Sequence, residues 1–213
     1  CCFDWLRKVR TSTQSPASSR LVSTRSGPHC SSAEFAEADI PVYAEANIRN
    51  LAKLGKGEFA TTFSAEVRQL DESWQKVALK RYHGKTTKPG IALVELLMLL
   101  AVGQHPNVIR LMGVRFLGMG NKFTGTVEHL TEFAEHGALE SKLYSDTNDP
   151  FRKLLLSDSK CQLSIAQDIS TGVRHLHSRG IVHRDINSHN LVLDALGRVR
   201  IIDLGNARFC DEK

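Results

Sequence analysis

The stretch His183-Arg184-Asp185-Ile186-Asn187-Ser188-His189-Asn190, with Asp203-Leu204-Gly205 following thirteen residues after Asn190, constrains this chain more than any other. It sets an Asp and an Asn on one loop and a second Asp at the end of the next strand. The residues between read as two short strands, Leu191–Leu193 and Val199–Ile202, around the turn Ala195-Leu196-Gly197. Two carboxylates and an amide at that spacing suit one task. They can hold a metal-bound nucleoside triphosphate while one carboxylate orients a hydroxyl nucleophile.

Companion motifs lie upstream in a fixed order. Gly55-Lys56-Gly57-Glu58-Phe59-Ala60-Thr61-Thr62-Phe63 is a glycine-rich segment. Without Cβ atoms, Gly55 and Gly57 let the backbone turn sharply and approach phosphate oxygens, although the pair alone also reads as a hairpin turn. Lys80 ends the apolar strand pattern Val77-Ala78-Leu79, where an ammonium needs a partner or a ligand. A solvated strand-end cation is the bland alternative, and it is the reading given to Arg81. Glu95 interrupts the strongly apolar helix pattern Ile91–Val102, so a solvated helix face does not explain it. His105-Pro106-Asn107-Val108 closes that helix. Taken together, these five elements resemble the eukaryotic protein kinases over about residues 48–213.

The resemblance implies an α+β, protein-kinase-like two-lobe fold: a β-rich N-lobe with one helix, then the first part of a helical C-lobe. It places the N-lobe at about 48–131, a hinge at about 132–137 and a partial C-lobe at 138–213. It also implies ATP and Mg2+ as cofactors and a protein as substrate. Gly55, Gly57 and, at the tip, Phe59 would cover the phosphates. The pattern's third glycine is Ala60 here, and its valine is Thr62, which adds a hydroxyl beside the adenine. Lys80 would touch the α- and β-phosphates and pair with Glu95. Ala78 and Val192 fall among the nucleotide-binding positions. Thr131 corresponds to the gatekeeper, and the backbone of Glu132 and Ala134 would meet the adenine edge. Asp185 would be the catalytic base or hydroxyl-orienting group, with Asn190 and Asp203 as magnesium ligands. Arg184 would pair with a phosphate on the activation segment, which implies an upstream activating kinase. His183, Leu204 (in place of the usual Phe) and Leu99 are packing residues of an apolar column.

Asn187-Ser188-His189 stands where Ser/Thr kinases usually carry a Lys and tyrosine kinases commonly read Ala-Ala-Arg. It resembles the LIM-kinase and testis-specific-kinase branch of the tyrosine-kinase-like group. That favours Ser/Thr as the acceptor, with tyrosine or dual specificity as the alternative. A nucleotide-binding pseudokinase or scaffold is the second class, supported by Ala60, Thr62, Asn187 and Leu204. Against it, Lys80, Glu95, Asp185, Asn190 and Asp203 are all present.

Composition limits the rest. The net charge of +5 is largely a property of the first 30 residues, where Arg7, Lys8, Arg10, Arg20 and Arg25 face only Asp4. It therefore gives no argument for nucleic-acid binding. Residues 1–47 read as a disordered Ser/Arg-rich tail or linker, with a short lead-in from Ala33 to Ala46. Cys1, Cys2, Cys30, Cys161 and Cys210 show no metal-ligand spacing and suit a reduced, cytoplasmic protein. Cys1-Cys2 could instead carry palmitate. The longest apolar run, Ile91–Val102, is too short for a membrane span. The end at Lys213, soon after Gly205, reads as a C-terminal truncation of the lobe, and the isolated chain is expected to be weakly stable and inactive. Strands are expected at Thr62–Arg68 and Lys76–Arg81, with a turn at Asp71-Glu72-Ser73. Two further strands should flank the Gly-rich turn Gly118-Met119-Gly120-Asn121. A short helix is expected at Leu139–Tyr144, a loop at Asp146–Pro150 and a long amphipathic helix at Lys160–Arg179.

Overall fold

The computed structural model describes residues 40–83, 90–117, 126–144, 146 and 148–210. The tail before residue 40, Cys1, Cys2 and Cys30, and the turn at 118–121 lie outside the described residues. The chain forms two compact units, one of residues 1–96 and 111–132, the other of residues 97–110 and 133–213.

The first unit is built on a five-stranded antiparallel sheet in the order β1-β2-β3-β5-β4. The strands are β1 (Ile48–Lys56), β2 (Ala60–Arg68), β3 (Trp74–Tyr82), β4 (Leu111–Leu117) and β5 (Thr126–Glu132). Two-residue alternation gives the sheet two distinct faces. On one, Ala65, Val67, Val77, Leu79 and Leu130 form a core with Tyr43 and Ile48. The β2–β3 turn is held by Asp71, whose Oδ1 accepts from Ser73 N at 3.0 Å and from Ser73 Oγ at 2.6 Å. Helix α1 spans Ile91–Val102.

Residues 40–47 depart from the expected tail. Tyr43 N donates to Val114 O at 2.9 Å, and Val114 N donates to Pro41 O at 3.0 Å, so this segment lines the edge strand β4. Gly113 is the reason. A Cβ there would stand 2.5 Å from Tyr43 Cε2 and 2.7 Å from Pro41 O, space that only glycine leaves open.

The second unit carries α2 (Leu139–Leu143), α3 (Pro150–Ser157) and α4 (Ser159–Ser178). Its two small sheets are β6-β8-β9 (Gly137–Ala138, Leu191–Leu193, Val199–Ile201) and β7-β10 (Ile181–Val182, Arg208–Phe209). Helix α3 was not expected. Its start is nonetheless written in the sequence: Asp149 Oδ1 accepts from Phe151 N at 2.8 Å and Arg152 N at 3.2 Å, with Pro150 in the first turn. Leu176, Ile181, Leu193, Val199, Ile201 and Leu204 are fully buried. The segment after α1 is fixed to β9 within this unit: Asn107 Nδ2 donates to Val199 O at 3.0 Å, and Ile201 N donates to Asn107 O at 2.9 Å.

Candidate active site

In the first unit the strand register gathers the predicted residues. Gly55 lies opposite Thr62, Thr62 opposite Lys80, and Lys80 opposite His129. Ala78 lies opposite Thr131. Directly opposed residues share a face, as do residues two apart. Thr62, Ala78, Lys80, Tyr82, His129 and Thr131 therefore occupy one face, away from the Leu79–Leu130 core. Phe59 is at the loop tip and exposed, and Gly57 N closes the loop onto Ala60 O at 2.8 Å. Glu132 ends β5.

Glu95 of α1 is only 4% exposed. Lys80 Nζ donates to both of its oxygens, at 3.0 Å to Oε1 and 2.8 Å to Oε2. Sequence reasoning did not include two further neighbours. Tyr82 Oη donates to Glu95 Oε2, and the same hydroxyl lies 3.0 Å from His129 Nδ1. The signal was available: Tyr82 stands two residues after Lys80, hence on its face, and Glu128-His129 is a polar pair inside a strand. Burial first, and the Lys80 charge second, push the His129 ring down to about 3. The Ala92 backbone pulls the other way. The ring is thus neutral near pH 7.

Arg81, read from sequence as a solvated cation, is an ion-pair partner. On the opposite face Glu128 is fully buried between Arg81 and Arg115, with Arg115 Nε 2.5 Å from Oε2. A carboxylate with no exposure requires such partners.

In the second unit Asp185 is held by amides. Asn187 Nδ2 donates to Oδ1 at 2.9 Å, and Asn190 Nδ2 donates to Oδ2 at 3.0 Å. Asn206 Nδ2 is 3.4 Å from Oδ2. Asn187 Oδ1 in turn caps the 3-10 turn Ser188–Asn190 by accepting from His189 N and Asn190 N. His183 is buried; Asp185 N donates to its Nδ1, which leaves Nε2–H to donate to Ile202 O at 2.9 Å. Arg184 and Asp203 both adopt left-handed backbone, at φ 69° and 61°. That conformation is costly for residues with a Cβ, and such strain clusters at functional sites.

Ile202 N donates to Asn190 O at 2.9 Å, which ties Asn190 to the residue before Asp203. Because Asn190 turns its amide nitrogen toward Asp185, its carbonyl oxygen points away from that carboxylate. An amide oxygen and the Asp203 carboxylate are hard donors of the type magnesium uses, and magnesium needs only one or two protein ligands when phosphates and water complete its shell. Among the described residues there is no group of three or more His, Cys, Asp or Glu fit for a metal ion. Val192 is buried in β8 opposite Ala138, and Ala134 O accepts from Gly137 N at 3.2 Å. Leu99, His183 and Leu204 are all buried.

The sequence profile of the family described as protein tyrosine and serine/threonine kinase matches residues 48–213. A probable serine/threonine-protein kinase of Dictyostelium discoideum is 32% identical over 141 residues, covering 64% of this chain and 21% of the relative. Discoidin domain-containing receptor tyrosine kinase B of Caenorhabditis elegans is 28% identical over 169 residues, covering 79% and 19%. Rust resistance kinase Lr10 of Triticum aestivum is 29% identical over 161 residues, covering 74% and 23%. The chain thus spans about a fifth of the length of these relatives. Among the described residues no helix is long and apolar enough to cross a membrane. With the five-stranded antiparallel sheet and the helices that accompany it, the profile match identifies the fold as that of the protein kinases, and the chain belongs to the protein kinase family.

Proposed function

We propose that this chain carries the nucleotide-binding and catalytic-loop part of an ATP- and Mg2+-dependent protein kinase that phosphorylates Ser or Thr hydroxyls of protein substrates inside the cell. The observation that carries this reading is the clamped Asp185 carboxylate, which has one oxygen on Asn187 and the other on Asn190. A group that must orient a hydroxyl and receive its proton gains from such preorganisation. In this reading Lys80, held by Glu95, contacts the α- and β-phosphates, and Gly55, Gly57 and Phe59 cover them. Thr62, Ala78, Thr131 and Val192 line the base, and the backbone of Glu132 and Ala134 reads its edge. Asn190 and Asp203 hold magnesium, which when bound neutralises phosphate charge. Arg184 awaits an activation-segment phosphate placed by an upstream kinase. The division into N-lobe, hinge and C-lobe at 48–131, 132–137 and 138–213 belongs to the same proposal.

Ser/Thr specificity rests on the LIM-kinase-like Asn187-Ser188-His189 and on the serine/threonine kinases among the relatives. The receptor tyrosine kinase relative keeps tyrosine or dual specificity as the second reading. The test is phosphotransfer from MgATP to a mixed Ser, Thr and Tyr peptide pool by the whole protein that carries this chain, with Asp185→Asn alongside. Phosphoserine and phosphothreonine that vanish in the variant support the proposal. Phosphotyrosine alone would move the assignment to the second reading. No incorporation after activation-segment phosphorylation would favour a scaffold.

A further inference from the structure

The polar cluster around Glu95 holds more than the ion pair needs. A buried carboxylate facing one lysine already has its counter-charge. Here Lys80 also sits 21% exposed at its side chain, whereas Glu95 is 5% exposed. If Lys80 leans toward a ligand, Glu95 loses part of the cation paired with it while remaining buried, and an unsatisfied buried carboxylate is costly. Tyr82 removes that difficulty. The residue is 5% exposed, and its hydroxyl reaches Glu95 Oε2 from the same strand that carries Lys80.

Proton placement in the cluster follows from the donors available. Tyr82 has one hydroxyl hydrogen, and the carboxylate is the stronger acceptor, so that hydrogen goes to Glu95. His129 Nδ1 must then be the protonated ring nitrogen and donate to Tyr82 Oη across 3.0 Å. The neutral ring agrees with this tautomer, as does the lack of a hydrogen-bond partner at Nε2 among the described residues. The edge-on packing of the two rings, with centroids 5.1 Å apart at 69°, fixes the hydroxyl direction further. The hydrogen-bond chain runs from His129 through Tyr82 to the accepting Glu95, each from a different place in the fold: β5, β3 and α1.

We infer that Tyr82, itself held by His129, is a positioning residue that clamps Glu95 of α1 to strand β3, so that the Lys80–Glu95 pair is formed before any ligand arrives. This rests on the kinase reading above, in which that pair must be in place for phosphoryl transfer. Its consequence is that formation of the pair does not wait for Lys80 alone to hold the helix.

The test uses the full chain with Tyr82→Phe. This keeps the ring and removes the hydroxyl. Val67→Ala serves as the control, since Val67 is fully buried on the opposite face of the same sheet and does not touch Glu95. The first readout is amide hydrogen exchange of α1 without nucleotide, compared at matched overall stability. A hydrogen bond to a charged group predicts about tenfold faster exchange in α1 for Tyr82→Phe, and no such excess for the control. The second readout is the dissociation constant for MgATP, expected to weaken about tenfold, with no further loss when Tyr82→Phe is added to Glu95→Gln. His129→Leu is the second variant, expected to move α1 exchange in the same direction by less, should Tyr82→Phe fold poorly. Equal α1 exchange in Tyr82→Phe and Val67→Ala would overturn the clamp. An undiminished MgATP effect in the Glu95→Gln background would do the same, because Tyr82 would then act elsewhere. A wild-type chain that binds no MgATP yet shows the α1 exchange difference would remove the kinase reading and leave the clamp standing.

Discussion

His129 makes the sharpest thermodynamic prediction. The ring is 1% exposed, and its folded-state pKa lies at about 3 against an ordinary 6.5. Burial is the main cause, and the Lys80 ammonium adds to it. Between those two pH values the unfolded chain binds a proton that the folded chain refuses. Stability therefore rises with pH in that window, is complete above about 6.5, and is lost progressively as pH falls from there toward 3. At pH 5 the loss from this one group is about 2 kcal/mol relative to pH 7.5, roughly a thirtyfold change in the folded-to-unfolded ratio. Substitution by Gln keeps an N–H donor for the Tyr82 hydroxyl and cannot titrate. Urea unfolding of wild type and His129→Gln at pH 7.5, 6 and 5 isolates the effect, because other titrating groups cancel in the difference. The wild type should lose about 2 kcal/mol more than the variant between pH 7.5 and 5. Parallel curves, within roughly 0.5 kcal/mol of each other across that range, would refute the argument that the folded ring excludes the proton.

Other consequences can be checked with single substitutions. Gly113→Ala should destabilise by about 2 kcal/mol and speed exchange at Tyr43 and Val114, because the new methyl meets the Tyr43 ring at 2.5 Å and the Pro41 carbonyl at 2.7 Å. Glu128→Gln should cost about 3 kcal/mol in chemical denaturation, since it strands the buried Arg115 guanidinium without its counter-charge. Asp149→Ala removes the cap on α3 and should cost about 1 kcal/mol, with the Phe151 and Arg152 amides losing protection first. Asn187→Ala should lower the phosphotransfer rate about tenfold with little change in the KM for ATP, because it frees one Asp185 oxygen rather than a nucleotide contact. A KM change alone would argue against that role.

The sequence was legible where chemistry and spacing agree. Lys80 inside an apolar strand and Glu95 inside an apolar helix each stood out as charges needing a reason, and the structure brings the two together. The strand at 191–193 and the helix at 91–102 have the expected bounds because the length of each apolar run and its flanking residues decide between strand and helix. What escaped was long-range or looked ordinary locally. Tyr82 is an unremarkable strand residue until the β3–β5 register puts His129 beside it, 47 positions later. Arg81 looked like a solvated cation because its partner, Glu128, is equally distant in sequence. Residues 40–47 lacked a strand signal of their own; they are ordered by backbone bonds to β4 and by the space at Gly113. Helix α3 hides behind Pro150, which reads as the end of a loop although a proline after an Asp cap more often opens a helix.

Register converts these separate residues into a site, and it is enforced from the face that does no chemistry. Shifting β3 by one residue against β5 would turn Lys80, Ala78 and Tyr82 to the core side and present Val77, Leu79 and Arg81 to α1. Three things oppose that slip. Val77 and Leu79, both with no exposure, would leave the core. Glu128 would lose its hold on Arg81 while still buried. Glu95 would lose the Lys80 ammonium and the Tyr82 phenol that hold it. Each is an uncompensated burial or exposure costing a few kcal/mol, and together they approach the whole stability of a small domain. The Glu128 pair on one face and the Glu95 cluster on the other thus specify the same strand pairing twice. In this chain the charged residues of the sheet determine which neighbours meet as much as how strongly they hold.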